Sequence, residues 1–434
     1  MARSAGAPGV SPSAAGLPPW KHLLQENDKG IPLPTLWNCV TIWEHEPSLV
    51  GAVSYDKFHQ RLSVVGPLPW DRNVTEHRQW KEADTLEATV WFHDQYIRAS
   101  DDTVYKAAQT VGDRHAFHPV MDYLGKLQWD RVRRITNWLA AYCGALNTRY
   151  VRAVSRRWML SAVARVMEPG CQCDSMLVLE GEERIGKSSA FQVLGQPWYA
   201  SDISAIGNKD AKLLLAGKWI VEISELAALR RTDWEVTKSF ISCRSDWFRR
   251  PYGRAPEELP RQSVFGGTSN SSNWAPEPEG MRRFWPVLVS KIDLPGLRRD
   301  RDQLWAEAVW CLHNLRNGQR RWWLDDDAGL YSLAHREQML RIESDDPWEG
   351  QVSGFIAYKV HTTTHDVLEH IGVKIEDMSR QDEMRISRLL RLRFGWVRAR
   401  RWTLAERNDP GLRGKSPPTR YFHPDQVPPV DMDN

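Results

Sequence analysis

Long apolar runs are missing from this chain. No stretch approaches the roughly 18 apolar residues that a membrane-spanning helix needs, so no membrane partner is expected. Cysteine is scarce, with six irregularly spaced copies at Cys39, Cys143, Cys171, Cys173, Cys243 and Cys311. That excludes the dense pattern of a disulfide scaffold. Cys171 and Cys173 form a C-x-C pair, but no second pair or nearby histidine cluster completes a structural zinc site. The first residues, MARSAGAPGVSPSAAGLPP, lack the apolar centre of a signal peptide. They read as a disordered leader over 1–19, rich in Ala, Gly, Ser and Pro. A reduced, cytoplasmic protein is the expectation. Charge of one sign is also lacking: the net charge is +3, so the whole molecule is no polycation.

What is present is enough to build cores. Of 434 residues, 41% are hydrophobic, and the 26% that are charged fit a protein with a wetted surface. Tryptophan is unusually frequent at 22 copies. Most are expected as core or interdomain anchors, and a few are able to stack on bases. After the leader, residues 20–114 read as a helical N-terminal region, with apolar residues three or four apart in RQWKEADTLEATVWFHDQYI and DDTVYKAAQTVGDRHAF. His118-Pro119 breaks that pattern. Amphipathic helices follow in VMDYLGKLQWDRVRRITNWLAAYCG and YVRAVSRRWMLSAVARVME, so residues 20–170 as a whole read as mostly α. From 176 the character changes. Short apolar runs at MLVL, WIVEI and SVFGGT, separated by helical or polar segments, predict an α/β sheet buried on both faces. The central domain is placed at 115–325, an acidic linker helix at 326–349, and a basic domain with a Pro-rich tail at 350–434.

One turn between these elements carries chemistry. LVLEGEERIGKSSAFQVLG satisfies G-x-x-x-x-G-K-[ST] through Gly181, Gly186, Lys187 and Ser188. Glycines let backbone N–H groups converge on phosphate oxygens, lysine reaches the β- and γ-phosphates, and the serine hydroxyl holds Mg²⁺. A strand is expected before the turn and a helix after it, aiming its positive end at the anion. Gly181, Glu182, Glu183, Arg184, Ile185, Gly186, Lys187, Ser188 and Ser189 are therefore the expected ATP cradle. GKWIVEISELAAL supplies Glu222 and Glu225 as candidate metal-side carboxylates. Glu225, where the strand meets solvent, is favoured as the catalytic one. For Glu222 the alternative is a strand carboxylate paired with an arginine. SVFGGTSN ends on Asn270, whose amide suits a γ-phosphate or an attacking water, or else forms a simple turn. In EGMRRFWPV, Arg282 and Arg283 are candidates to act on a neighbour's γ-phosphate, or else form a surface salt bridge.

These stretches, with TKSFISCRSDWFRRPYGR between them, occur in one order that resembles the virulence-associated protein E family of prophages and mobile elements. HPVMDYLGKLQWD and VARVMEPG extend the resemblance over roughly residues 115–320. The order is also similar to superfamily 3 helicases, hexameric AAA+-type ATPases. The resemblance implies a P-loop NTPase fold, ATP and Mg²⁺ as ligands, Glu225 as the acidic motif, Asn270 as a polar sensor, and Arg282 or Arg283 as an arginine finger. It further implies that Lys238, Arg249, Arg250 and Arg254 fall in a DNA-contacting segment. Some relatives carry a primase domain. Its acidic metal cluster and zinc-ribbon spacing are not found here, so primase activity is not expected.

Two basic segments point to DNA. DWFRRPYGR interleaves arginines with aromatic residues able to stack on exposed bases, or forms a packed loop. From Arg385 to Arg401 there are seven arginines and no acid. Arg385, Arg388 and Arg391 share one predicted helical face, opposite Ile386, Leu389, Leu390 and Phe394. With the strands expected in GWVRARRW and TRYFH, this reads as a winged helix with Arg388 and Arg391 on DNA. The alternatives are a solvated basic face or a subunit contact. The expected activity is that of an ATP-dependent DNA helicase or translocase working as a homo-oligomeric, hexameric ring. The rivals are an ATP-regulated DNA-binding initiator that does not unwind, and a winged-helix scaffold with a decayed ATP site.

Overall fold

The computed structural model describes residues 20–201, 214–226, 231–248, 257–271, 274–275, 281–314, 322–324, 328–341, 346–400 and 418–423. The chain divides into two compact units, one up to Pro119 and one from Val120 onward.

In the first unit α1 (Leu36–His45) begins where the Thr35 hydroxyl accepts from Asn38 N, a common N-cap. It is followed by β1 (Val53–Asp56), β2 (Arg61–Val64) and β3 (Arg78–Gln79), then α2 (Glu82–Gln95) and α3 (Asp101–Arg114). Trp43, Trp80, Phe92, Val104 and Val111 fill its core. Beside these helices the region carries strands that the mostly α reading did not include, because β1, β2 and β3 form an antiparallel sheet. The β1–β2 turn is set by Asp56, whose carboxylate accepts from Phe58 N and His59 N.

The second unit is built on a five-stranded parallel sheet. Its strands are β4 (Met176–Glu180), β5 (Tyr199–Ala200), β6 (Ile220–Ile223), β9 (Val264–Ser269) and β10 (Phe284–Leu288), in the order β10-β4-β9-β6-β5. β4, β6 and β9 are buried throughout, which is why they read as largely apolar runs. α4 (Arg149–Met167), α5 (Lys187–Gly195) and α7 (Leu294–Asn314) pack on one another and on the sheet. Indole N–H groups pin these layers: Trp158 donates to Phe265 O at 2.9 Å and Trp219 to Ala162 O at 2.8 Å. Between β6 and β9 lie α6 (Arg231–Ser242) and an antiparallel pair, β7 (Ser245–Phe248) with β8 (Glu257–Pro260). The pair is anchored by buried Arg261, which donates to both oxygens of Asp246.

The expected linker helix is corrected as well. α8 (Ala328–Met339) packs against β10 and α4, burying Leu330 and Ala334. Gln338 Nε2 donates to Phe284 O at 2.9 Å. Acidic neighbours in the sequence made a core helix look like a bridge. Beyond it come α9 (Glu349–Ile356), β11 (His361–Thr362), α10 (Thr364–His370), α11 (Arg380–Arg388), β12 (Val397–Arg400) and β13 (Thr419–Phe422), with the antiparallel order β11-β13-β12. Their own core holds Val352, Leu368, Ile386, Leu390 and Phe394. Among the described residues no helix is long and apolar enough to cross a membrane.

Candidate active site

A parallel sheet brings the C-terminal ends of its strands to one edge. At that edge β4 runs into the Gly181–Ser188 loop, which leads into α5. Gly181 is required by crowding: a Cβ there would stand 2.5 Å from Val289 O. Gly186 is required by its backbone, with φ +98°, a left-handed conformation glycine adopts freely. It is also the N-cap of α5 and provides no side chain to cap the helix, so the first amides have no side-chain acceptor at Gly186. Glu182, Glu183 and Arg184 are exposed, and Ile185 and Ser189 are half-buried. Arg184 takes φ +61° within the loop.

Lys187 points back into the loop. Its ammonium donates to Gly181 O and Glu182 O at 2.6 Å each and to Asn270 Oδ1 at 2.8 Å. All three donors are thereby used. Burial lowers its pKa against the opposing pull of Glu183 and Glu222. Ser188 Oγ donates to Glu222 Oε1 at 2.7 Å. Glu222 is fully buried on β6, and it also accepts from Thr268 Oγ1 at 2.9 Å and from the Tyr199 hydroxyl. The alternative of a strand carboxylate paired with an arginine does not describe this residue, since its acceptor oxygens face three hydroxyls. Thr268 and Tyr199 were missed in the sequence. Thr268 stands inside the apolar run SVFGGTSN, where alternation exposes no functional face, and Tyr199 has no motif around it.

Two hydrogen-bonded pairs therefore meet beside the loop, Lys187 with Asn270 and Ser188 with Glu222. Glu225 lies two residues beyond β6 at the same edge, exposed and with φ +51°. A non-glycine residue in that region costs of order 1–3 kcal/mol and persists only where its surroundings impose it.

The other predicted residues lie elsewhere. Arg282 and Arg283 form a short 3₁₀ turn that enters β10. Phe284 is in register with Met176, and Leu288 with Glu180. The arginines thus stand at the N-terminal edge of the sheet, with Arg283 roughly 20 Å along the strand direction from the start of the loop at about 3.3 Å per residue. Arg282 is exposed, while Arg283 is half-buried with Nε donating to Ser242 Oγ at 2.6 Å. They share an open groove with Lys238, Glu235 and Ser239. Lys238, expected in a DNA-contacting segment, has a side chain 7% exposed that donates to Glu235 at 2.6 Å. Arg249, Arg250 and Arg254 lie outside the described residues, between β7 and β8. Arg388 and Arg391 are exposed. Ile386, Leu389, Leu390 and Phe394 are buried in one core; residues Leu389–Arg393 adopt π-helical geometry, and Arg385 is held by Asp346 at 2.7 Å.

An ammonium, a hydroxyl and a carboxylate converging beside a helix end without a side-chain cap suit a polyphosphate with a divalent cation. A mixed α/β protein with this donor set at the C-terminal edge of a parallel sheet is the class that fold and site define. Within that class, the chain belongs to the virulence-associated protein E-like family, whose domain model matches residues 124–341, half of the chain. No curated protein matches it. Among solved structures it is similar to the apo structure of the NrS-1 C-terminal region. Identity is 10%, coverage is 86% of this chain and 95% of that one, and the TM-score is 0.41. An A-form apo structure of the same region also gives 10% identity, with 85% and 95% coverage and a TM-score of 0.41.

Proposed function

We propose that this chain is an ATP-hydrolysing helicase or translocase that works on DNA in the replication of a phage or mobile genetic element, as a homo-oligomeric ring. The observation that carries the reading is the contact set of Lys187 with Asn270 and Ser188 with Glu222. These residues come from three separate stretches and meet at the mouth of one loop. In this reading the backbone of Gly181 to Ser189 and the Lys187 ammonium hold the phosphates of ATP, whose oxygens replace Gly181 O, Glu182 O and Asn270 Oδ1 as acceptors. Ser188 and Glu222 hold Mg²⁺, which neutralises charge on the phosphates. Glu225 takes the proton of the attacking water, and Asn270 orients that water or the terminal phosphate. The sheet order β10-β4-β9-β6-β5, with the loop after a central strand, supports a P-loop NTPase core.

The distance of Arg282 and Arg283 from their own loop supports a role across a subunit boundary, and with it a ring. The element order α9-β11-α10-α11-β12-β13 supports a winged-helix reading of the C-terminal layer, with Arg388 and Arg391 toward DNA. That layer equally suits an ATP-regulated initiator that binds DNA without unwinding it. ATP turnover with and without single-stranded DNA, run beside strand displacement on a forked duplex, tests both. Stimulated turnover with displacement supports the helicase. Turnover without displacement supports the initiator, and no turnover removes both.

A further inference from the structure

Two residues that frame the first glycine of the loop are themselves held by side chains from far along the chain. Glu180 ends β4, immediately before Gly181, and is 1% exposed. A carboxylate buried so deeply requires partners. Arg341, beyond α8, provides a fork: Nη2 donates to Oε2 at 2.7 Å and Nε to Oε1 at 2.9 Å. Trp274 Nε1 adds a third bond to Oε1 at 2.6 Å. The Glu180 carbonyl accepts from Val289 N at 2.7 Å. The Val289 carbonyl in turn faces Gly181, so closely that a Cβ there would stand 2.5 Å away. That same carbonyl accepts from the Tyr358 hydroxyl at 2.6 Å.

Tyr358 lies just past α9, whose Ile356 belongs to the C-terminal core with Ile386 and Leu390. The contacts form an unbroken series. Tyr358 fixes the Val289 carbonyl, Val289 limits where Gly181 can stand, and Gly181 and Glu182 hold the Lys187 ammonium through their carbonyls. Burial, with the Glu182 and Glu180 carboxylates nearby, pushes the Tyr358 phenol up to about 12, so the hydroxyl remains a donor throughout the neutral range.

We propose that Tyr358 and Arg341 are positioning residues for the phosphate loop, by which the C-terminal layer regulates how well that loop holds a nucleotide. The coupling rests on geometry alone, while its consequence for ATP rests on the proposed function. Neither residue touches the reacting atoms in this account. Their effect belongs in substrate binding rather than in the chemical step.

The test uses the full chain carrying Tyr358→Phe, which deletes one hydroxyl from a residue 45% exposed and so spares the core. Hydrogen–deuterium exchange is followed in the 177–195 segment without nucleotide, and KM and kcat for ATP are measured separately. Loss of one hydrogen bond of ordinary strength predicts loop exchange and KM both raised roughly 2–10-fold, with kcat within about twofold and melting unchanged. Arg341→Lys keeps the charge but loses the fork, and is expected to move both readouts further in the same direction. Wild-type loop exchange in folded Tyr358→Phe overturns the proposal, as does an unchanged KM in a chain that turns over ATP. Faster loop exchange in a chain that binds no nucleotide upholds the coupling and removes the ATP reading instead.

Discussion

Ser188 Oγ donates to Glu222 Oε1 at 2.7 Å across 34 positions of sequence. The bond joins the end of the glycine loop to the sheet, and it gives the two candidate carboxylates different surroundings. Glu222 is buried among hydroxyls. Glu225 is exposed and held in left-handed backbone. Their substitutions should therefore fail differently. Glu222→Gln puts an amide nitrogen among the hydroxyls and removes the charge beside Ser188. It should raise the Mg²⁺ concentration needed for half-maximal turnover by about tenfold or more, a loss of roughly 1.4 kcal/mol in cation binding. Glu225→Gln should retain nucleotide and Mg²⁺ binding while turnover falls by about 10²-fold or more, the usual loss with a general base. Titrating turnover against Mg²⁺, beside binding of a fluorescent ATP analogue, separates them. The opposite pattern would reverse the two assignments.

Lys187→Ala should abolish ATP turnover while the fold survives. Among the described residues the ammonium bonds the loop and Asn270, and Glu182 and Asn270 are exposed, so water can replace it. A melting shift of no more than a few degrees is expected, in line with about 1 kcal/mol in a chain of this size. Turnover within a few-fold of wild type, at unchanged melting, would remove the ATPase assignment.

Arg388 and Arg391 are exposed, whereas Arg385 is already committed. It donates to Asp346 and lies over the Trp348 ring at 4.2 Å. Replacing Arg388 or Arg391 with Ala should weaken DNA binding and flatten the dependence of log affinity on log salt by roughly one unit each. Arg385→Ala should leave that slope unchanged and act on stability. The Arg385 guanidinium holds the Asp346 carboxyl below its usual range. The folded-state pKa is depressed, so the stabilisation is present above the ordinary carboxylate value, about 3.9, and is lost as pH falls through the folded value. Thermal melts should thus differ by under about 1 kcal/mol at pH 7 and converge in strong acid. A flattened slope in Arg385→Ala would place it on DNA instead.

The central strands β4, β6 and β9 were legible because burial on both faces demands mostly apolar residues. The loop between β4 and α5 was legible because its chemistry dictates residue types at fixed spacing. The β1–β2 hairpin was not, since four-residue strands around YDKFHQR leave too few alternations to outweigh helical neighbours. α8 was hidden by acidic flanks, although Leu330, Ala334 and Gln338 face the core. The Glu180–Arg341 pair joins positions 161 apart. A buried ion pair of that kind imposes no periodicity on either partner's surroundings, so only the fold brings it into view.

Arg282 and Arg283 give the sharpest test of assembly. They precede β10 at the sheet edge opposite the loop, because β10 and β4 run parallel with Phe284 beside Met176. Within one subunit a guanidinium there is separated from its own loop by the length of the strand. If these residues serve catalysis, they do so on a neighbour, and the isolated chain has an incomplete site. Arg283 is braced by Ser242 while Arg282 is exposed, so Arg282→Ala is expected to cost the larger share of turnover. An arginine finger contributes about 10³–10⁵ in rate in other P-loop systems. Turnover should therefore rise steeply with protein concentration. Lys187→Ala subunits and subunits carrying both Arg282→Ala and Arg283→Ala should each be inactive alone, yet partly active when mixed, since one interface then joins an intact loop to intact arginines. The measurement is turnover against mixing ratio, beside mass by light scattering. No recovery on mixing, together with a fully active wild-type monomer, would assign the two arginines to structure and remove the ring.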